Sequence, residues 1–193
     1  MNKYKVIAIC GKSAAGKDTF LQAMLNSRKD YFHEIVSCTT RPPREGEVHG
    51  KNYYFISEEQ FHEMTRSGAM LEISAFRDWF YGTCIQNLNP EKLNIGVFNI
   101  EGVKALLNNP NIDVYIIEIY ASDKTRMLRS LFRESHPDVK EIVRRYNADE
   151  EDFKDFDTLP INSIVINEEN RSLEYAALRT REEIACFWAK EAN

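Results

Sequence analysis

The amino-acid sequence predicts an α/β fold: a parallel sheet covered by helices, with a small α+β segment inserted. Three observations carry this. Short apolar runs alternate with longer amphipathic stretches along most of the 193 residues. That rhythm breaks between Thr39 and Cys84. A glycine-containing turn, GKSAAGKDT, joins the first apolar run to the first amphipathic one. Strands that alternate with helices are joined by crossovers, and crossovers leave neighbouring strands parallel and buried on both faces.

In chain order, YKVIAIC (Tyr4–Cys10) reads as a buried strand and Lys17–Leu25 as a helix. EIVSC (Glu34–Cys38) reads as a second strand, followed by three more at Ile95–Ile100, Val114–Ala121 and Ser163–Asn167. Helical periodicity covers Glu101–Leu107, Ser122–Arg133, Val139–Phe153 and Ser172–Ala189. Inside the inserted segment, turn-rich RPPREGEVHGKN leads to a short strand at Tyr53–Ile56 and then a helix. That helix has a clear start, Ser57 with Gln60 three residues on, and a stop at Gly68.

Composition narrows the function. With 43% hydrophobic residues the chain can bury a sizeable core, and a net charge of −5 argues against a nucleic-acid or membrane-surface binder. A site for a phosphorylated ligand must then be a local basic cluster on an acidic background. Cys10, Cys38, Cys84 and Cys186 show no C-x-x-C spacing and read as reduced thiols of a cytoplasmic protein. The four histidines show no ligand spacing either. No signal peptide is legible, and no apolar run approaches the ~20 residues of a membrane span.

The turn GKSAAGKDT has the spacing of a phosphate-binding loop, G-x-x-x-x-G-K-[ST], with Asp18 in place of the final hydroxyl. Gly11, Lys12, Ser13, Ala14, Ala15 and Gly16 let backbone N–H groups converge on phosphate oxygens, and the following helix aims its positive end at the same anion. Lys17 would reach the terminal phosphates, and Thr19 keeps a hydroxyl one place late. A carboxylate can hold magnesium as the hydroxyl does, so Asp18 is the candidate metal ligand.

A second basic site lies in SCTTRPPR. The consecutive prolines favour polyproline II, whose three-residue repeat projects Arg41 and Arg44 on one side, where a phosphate would neutralise both. Arg126, Arg129 and Arg133 share a face of one predicted helix, an arrangement that calls for acidic partners or a bound polyanion.

The run TTRPPREGEVHGKNYYF…GAMLEISAFRDWFYGT, together with the loop, EGVK, the later arginines and IVIN, resembles the guanylate kinase family along nearly the whole chain. The resemblance implies a P-loop nucleoside-monophosphate-kinase fold with a core at 1–38 and 84–193, a helical lid at about 133–144, and a nucleoside-monophosphate-binding insertion at 39–83. It implies transfer of phosphate from ATP to GMP or dGMP with Mg²⁺, and small-molecule nucleotides as partners; the net charge already argues against nucleic acid and membrane, and the oligomeric state stays open. By position, Arg41, Arg44, Tyr53 and Tyr81 would hold the phosphate of GMP, while Ser37, Glu72 and Thr83 would read guanine. Lys17, Arg41, Arg129, Arg133 and Arg144 would neutralise the transferred group, and Asn167 would lie near the adenine of ATP. The chain departs from the family at Asp18 and at Asn99 in VFNIEGVK, where the family has an aspartate beside the base. A deoxynucleoside monophosphate kinase of broader base choice and a non-catalytic phosphopeptide-binding module both remain open alternatives on this reading.

Overall fold

A computed structural model describes residues 3–43, 46–76, 78–133, 135–154, 156–169 and 171–190. The elements run β1 (Tyr4–Cys10), α1 (Lys17–Ser27), β2 (Phe32–Glu34), β3 (Cys38–Thr39), β4 (Tyr54–Phe55), α2 (Glu58–Arg66), β5 (Met70–Phe76), β6 (Trp79–Cys84), β7 (Leu93–Val97), α3 (Ile100–Asn108), β8 (Ile112–Tyr120), α4 (Asp123–Phe132), α5 (Val139–Asp152), β9 (Ser163–Ile166) and α6 (Leu173–Lys190). A five-stranded sheet has the order β2-β7-β1-β8-β9, and a four-stranded sheet the order β4-β3-β6-β5. β2 runs parallel to β7, and β9 parallel to β8. The last five residues of β1 are all buried, as a strand covered on both faces requires.

By its internal contacts the chain forms two units, one holding 1–7 and 30–114, the other 8–29 and 115–193. In the first, the four-stranded sheet is built on the antiparallel hairpin β5–β6, with Glu72 opposite Thr83 and Ser74 opposite Tyr81. Phe61 of α2 stacks on Phe80 at 5.4 Å between ring centroids. α2 begins with both bonds of a capping box: Ser57 Oγ accepts from the Gln60 N–H at 3.2 Å, and the Ser57 N–H donates to Gln60 Oε1 at 2.9 Å. A cap of this kind is worth about 1 kcal/mol. In the second unit α1 packs on α6, where Arg181 Nη1 donates to Ser27 O at 3.2 Å.

Two local expectations change. The run EIVSC is not one strand: Phe32–Glu34 pairs with β7 in one sheet, and Cys38–Thr39 pairs with β6 and β4 in the other. The chain leaves one sheet for the other between them, so apolar continuity outlasts strand continuity. The strand expected to reach Ile100 ends at Val97, because the Asn99 side chain accepts from the Gly102 N–H at 2.8 Å and starts α3. The hairpin β5–β6 was not legible as such. Its turn lacks the Gly or Asn that marks a tight hairpin, yet it carries Glu72, Tyr81 and Thr83.

Candidate active site

The first unit holds a polar cluster on one face of the four-stranded sheet. Side chains alternate along a strand, so Glu72 and Ser74 of β5 share a face with Tyr81 and Thr83 of β6. Glu72 is only 7% exposed and Thr83 is fully buried. Ser37 Oγ lies 3.0 Å from Thr83 Oγ1. Burial pushes the Glu72 carboxyl up to about 7, against the pull of hydrogen bonds from Thr83. The first turn of α3 closes this side: Asn99 Nδ2 donates to Ser74 Oγ at 2.9 Å, and a Cβ on Gly102 would lie 3.4 Å from Glu72 Oε2. Asn99 is therefore both a helix cap and a neutral neighbour of the carboxylate. An aspartate here would place a second charge beside Glu72 and raise its pKa further.

Arg41 is 4% exposed. Its Nη2 donates to Glu47 Oε1 at 2.8 Å and its Nη1 to Pro42 O at 2.7 Å. The guanidinium stands 5.6 Å from the centre of the Tyr53 ring, and the Tyr53 and Tyr81 rings are 5.9 Å apart. The hydrogen bond and charge of Glu47 hold Arg41 above its ordinary value. Arg41, Tyr53 and Tyr81 thus form one group, while Arg44 lies outside the described residues.

In the second unit the loop after β1 is shaped by left-handed backbone. Gly11 has φ 146° and Gly16 φ 99°, and a Cβ at either would collide, at 2.3 Å with Ile119 O and at 2.2 Å with Asn167 Nδ2. Ala14 also adopts positive φ, 60°, which costs an L-residue about 1–2 kcal/mol. Lys17 Nζ donates to Gly11 O at 2.8 Å and Lys12 O at 3.1 Å, leaving its third N–H for a phosphate oxygen. Burial holds Lys17 below its ordinary value, with the charges of Asp18 and Asp149 pulling the other way. α2, α3, α4 and α5 begin with a side chain accepting a backbone N–H, whereas α1 begins at left-handed Gly16 with no side-chain cap. The first N–H groups of α1 therefore keep their capacity for an anion.

Behind the loop, Asn167 Nδ2 donates to Ala15 O at 2.7 Å, and Arg129 donates to Ala15 O at 3.3 Å and to Asn167 Oδ1 at 3.2 Å. Both residues are thus buttresses of the loop. Arg133 is exposed and lines an open cleft with Ser13, Arg126, Arg145 and Asp149. Arg144 forks onto Glu141 at 2.8 and 3.0 Å, and Arg145 donates to the same carboxylate at 2.8 Å. The two guanidiniums hold Glu141 far below the usual carboxylate range.

Asp18 and Thr19 are exposed on the first turn of α1. Magnesium keeps several waters and takes one or two carboxylates plus phosphate oxygens, so the Asp18 carboxylate fits its needs. Among the described residues no group of three or more His, Cys, Asp or Glu side chains forms an all-protein metal cage. No helix among them is long and apolar enough to cross a membrane.

Two residues that sequence reasoning did not assign stand out. Arg126 is 3% exposed and Asp149 is 8% exposed. Arg126 Nη2 donates to Asp149 Oδ2 at 2.7 Å, and Asp149 accepts from the Ser13 N–H at 2.8 Å and the Ser13 hydroxyl at 2.9 Å. The shared arginine face was the available signal for Arg126. Asp149 sits in an acidic run with nothing local to single it out.

Comparison with known proteins matches this geometry. The chain is 31% identical over 151 residues to a guanylate kinase of Prochlorococcus marinus, covering 75% of this chain and 81% of that one. It is 32% identical over 174 residues to a guanylate kinase of Caldanaerobacter subterraneus, covering 88% and 82%. The crystal structure of guanylate kinase from Anaplasma phagocytophilum superposes with a TM-score of 0.65 at 17% identity, covering 96% of this chain and 87% of that one, a likeness of fold. The guanylate kinase family profile matches residues 3–179, and the chain belongs to the guanylate kinase family.

Proposed function

We propose the residue roles through which this kinase works; the activity itself is transfer of the terminal phosphoryl group of ATP to GMP. The bond from the terminal phosphorus to ADP breaks, its electron pair leaves with ADP, and a phosphate oxygen of GMP forms the new bond. The acceptor phosphate is already ionised, so no general base is needed. Catalysis reduces to positioning and charge neutralisation.

The observation that carries the base assignment is the buried Glu72 set against Thr83 and Ser37. Guanine presents N1–H and an N2 amino group side by side, and an ionised carboxylate accepts both. A hydroxyl of Thr83 or Ser37 donates to O6. Adenine would set its N1 acceptor against the carboxylate, and a buried acceptor left unpaired costs about 1–3 kcal/mol. We assign Arg41, Tyr53 and Tyr81, with Arg44, to the acceptor phosphate, which would displace Glu47 from Arg41. Asn99 keeps Ser74 and α3 in place beside the base.

Residues Gly11 to Thr19 form the ATP loop in this reading. Lys17 supplies charge to the terminal phosphates, and Arg129 and Asn167 keep the loop in its binding shape. Arg133 and Arg144 are the lid cations within 133–144 and the helix beyond it, and closure of that lid would exclude water. The nucleoside-monophosphate-binding region is 39–83. Magnesium, which neutralises polyphosphate charge when bound, would be held by Asp18.

The test is a panel of GMP, dGMP, AMP, dTMP and dCMP under identical conditions. The guanine nucleotides should lead by at least about tenfold in kcat/KM, the decade that one unpaired acceptor is worth. Equal rates with AMP would remove Glu72 from base reading. The ratio of GMP to dGMP reports ribose preference, and an Asp18→Ser variant should shift the magnesium titration without abolishing activity.

A further inference from the structure

A carboxylate occupies one edge of the loop. Both Asp149 oxygens are spent on Ser13, one on its backbone N–H at 2.8 Å and one on its hydroxyl at 2.9 Å. These donors are of the kind that a phosphate oxygen would use, and a carboxylate meets them as a smaller anion of the same sign. Arg126 holds Asp149 there. Its Nη2 donates to Asp149 at 2.7 Å, its Nε to Ser13 O at 3.0 Å and its Nη1 to Asp123 at 3.0 Å, with the Tyr146 ring 5.0 Å from its guanidinium carbon. Next to it, Lys12 of the loop pairs with Glu150 of α5. The end of α5 is thus tied to the loop by ion pairs and by the two hydrogen bonds from Ser13, in the cleft that Arg133 and Arg145 line.

Buried ion pairs are weak evidence for stability, so stability alone does not account for placing one on an anion-binding loop. We propose that Asp149 is a built-in phosphate surrogate: it holds the Ser13 edge of the loop until the terminal phosphates of ATP displace it, and Arg126 then passes from Asp149 to the incoming phosphate. This rests on reading Gly11 to Thr19 as the ATP loop. A polyphosphate carries several charges where Asp149 carries one, so it wins the competition. Arg126 keeps its pair with Asp123, and the phosphate replaces the carboxylate that it loses. Asp149 lies on the helix that carries Arg144, so its release couples the arrival of ATP to freedom of that helix. Lys17 also feels the Asp149 charge, as a loop lysine would feel a phosphate.

The experiment measures the Kd of ATP with Mg²⁺ by calorimetry, without GMP, for the wild type and three variants. Asp149→Asn keeps an acceptor for Ser13 and Arg126 but removes the competing charge. It should bind ATP about tenfold more tightly, ~1.4 kcal/mol, with the KM of GMP unchanged. Ser13→Ala keeps the backbone N–H, loosens Asp149 without disturbing the buried pair, and should bind ATP about threefold more tightly; it carries the test if Asp149→Asn does not fold. Arg126→Gln added to Asp149→Asn should lose the gain and bind more weakly than wild type. A merely structural tie predicts a lower melting temperature with ATP affinity unchanged or weaker in the single variants, and that result overturns the proposal. A double variant that binds like Asp149→Asn alone overturns the role of Arg126. If the wild type itself fails to bind ATP, the loop reading falls and the surrogate with it. If the wild type binds and neither single variant binds more tightly, only the surrogate falls.

Discussion

The base-side cluster and the phosphate loop hold their polar groups in different ways. Around Glu72, the partners are fixed by strand register: Thr83 stands directly opposite, and Ser37 reaches Thr83 from the start of β3. Hydrogen bonds there join neighbouring strands and the first turn of α3. In the second unit, three cations already hold an internal carboxylate: Lys12 with Glu150, Arg126 with Asp149, and Arg144 with Glu141. Shape recognition of a base needs donors and acceptors that do not move. Neutralising a transferred phosphoryl group needs cations that can change partners, and a stored carboxylate keeps each one paired until then.

The contrast can be broken at the loop with the largest effect. Lys17→Ala should lower kcat/KM about 10³-fold, on the scale of losing one preorganised donor to developing charge, while GMP binding measured alone is unchanged. Phosphate transfer at the original rate would misplace the donor loop. At the base side, Glu72→Gln should cost about 10- to 100-fold in kcat/KM for GMP, the worth of charge-assisted hydrogen bonds, and should narrow the gap to AMP while leaving the KM of ATP alone.

Acidity sharpens the contrast next. Glu72 must be ionised to accept from guanine, and its folded-state value is raised to about 7 by burial. The kcat/KM for GMP should therefore fall as pH drops below that value and level off near the rate of Glu72→Gln. In Glu72→Gln this slope should vanish. A wild-type profile flat from pH 8 to 6 would place Glu72 away from the base.

Stability carries the smallest effect and the opposite sign. A carboxyl whose folded value is raised contributes stability that is fully present at low pH and lost as pH rises through about 7. Glu72→Gln should then raise the melting temperature at pH 8 by on the order of 3 °C and leave it unchanged at pH 4.5. A melting temperature lowered at both pH values would mean that Glu72 holds the hairpin rather than burdening it.

Much of the loop was legible because its determinants are neighbours in the chain. Gly11 and Gly16 are required by positive φ, and Lys17 follows directly. The α2 start at Ser57 and Gln60 was legible for the same reason. The hairpin β5–β6 was less so: Glu72 reads as an ordinary surface glutamate until β6 and α3 cover it. EIVSC hid a change of sheet, because apolarity signals burial without naming the strand that supplies the hydrogen bonds.

By itself the amino-acid sequence determined the alternation of strands and helices, the glycine-containing loop between β1 and α1, and the cap of α2. Each depends on backbone geometry within a few residues. Only the tertiary structure decided that Glu72 is buried beside Thr83 with its acidity shifted, and that Asp149 meets Ser13 across 136 residues of chain. Burial and long-range charge pairing are properties of where the chain returns to itself, and no local pattern encodes that return.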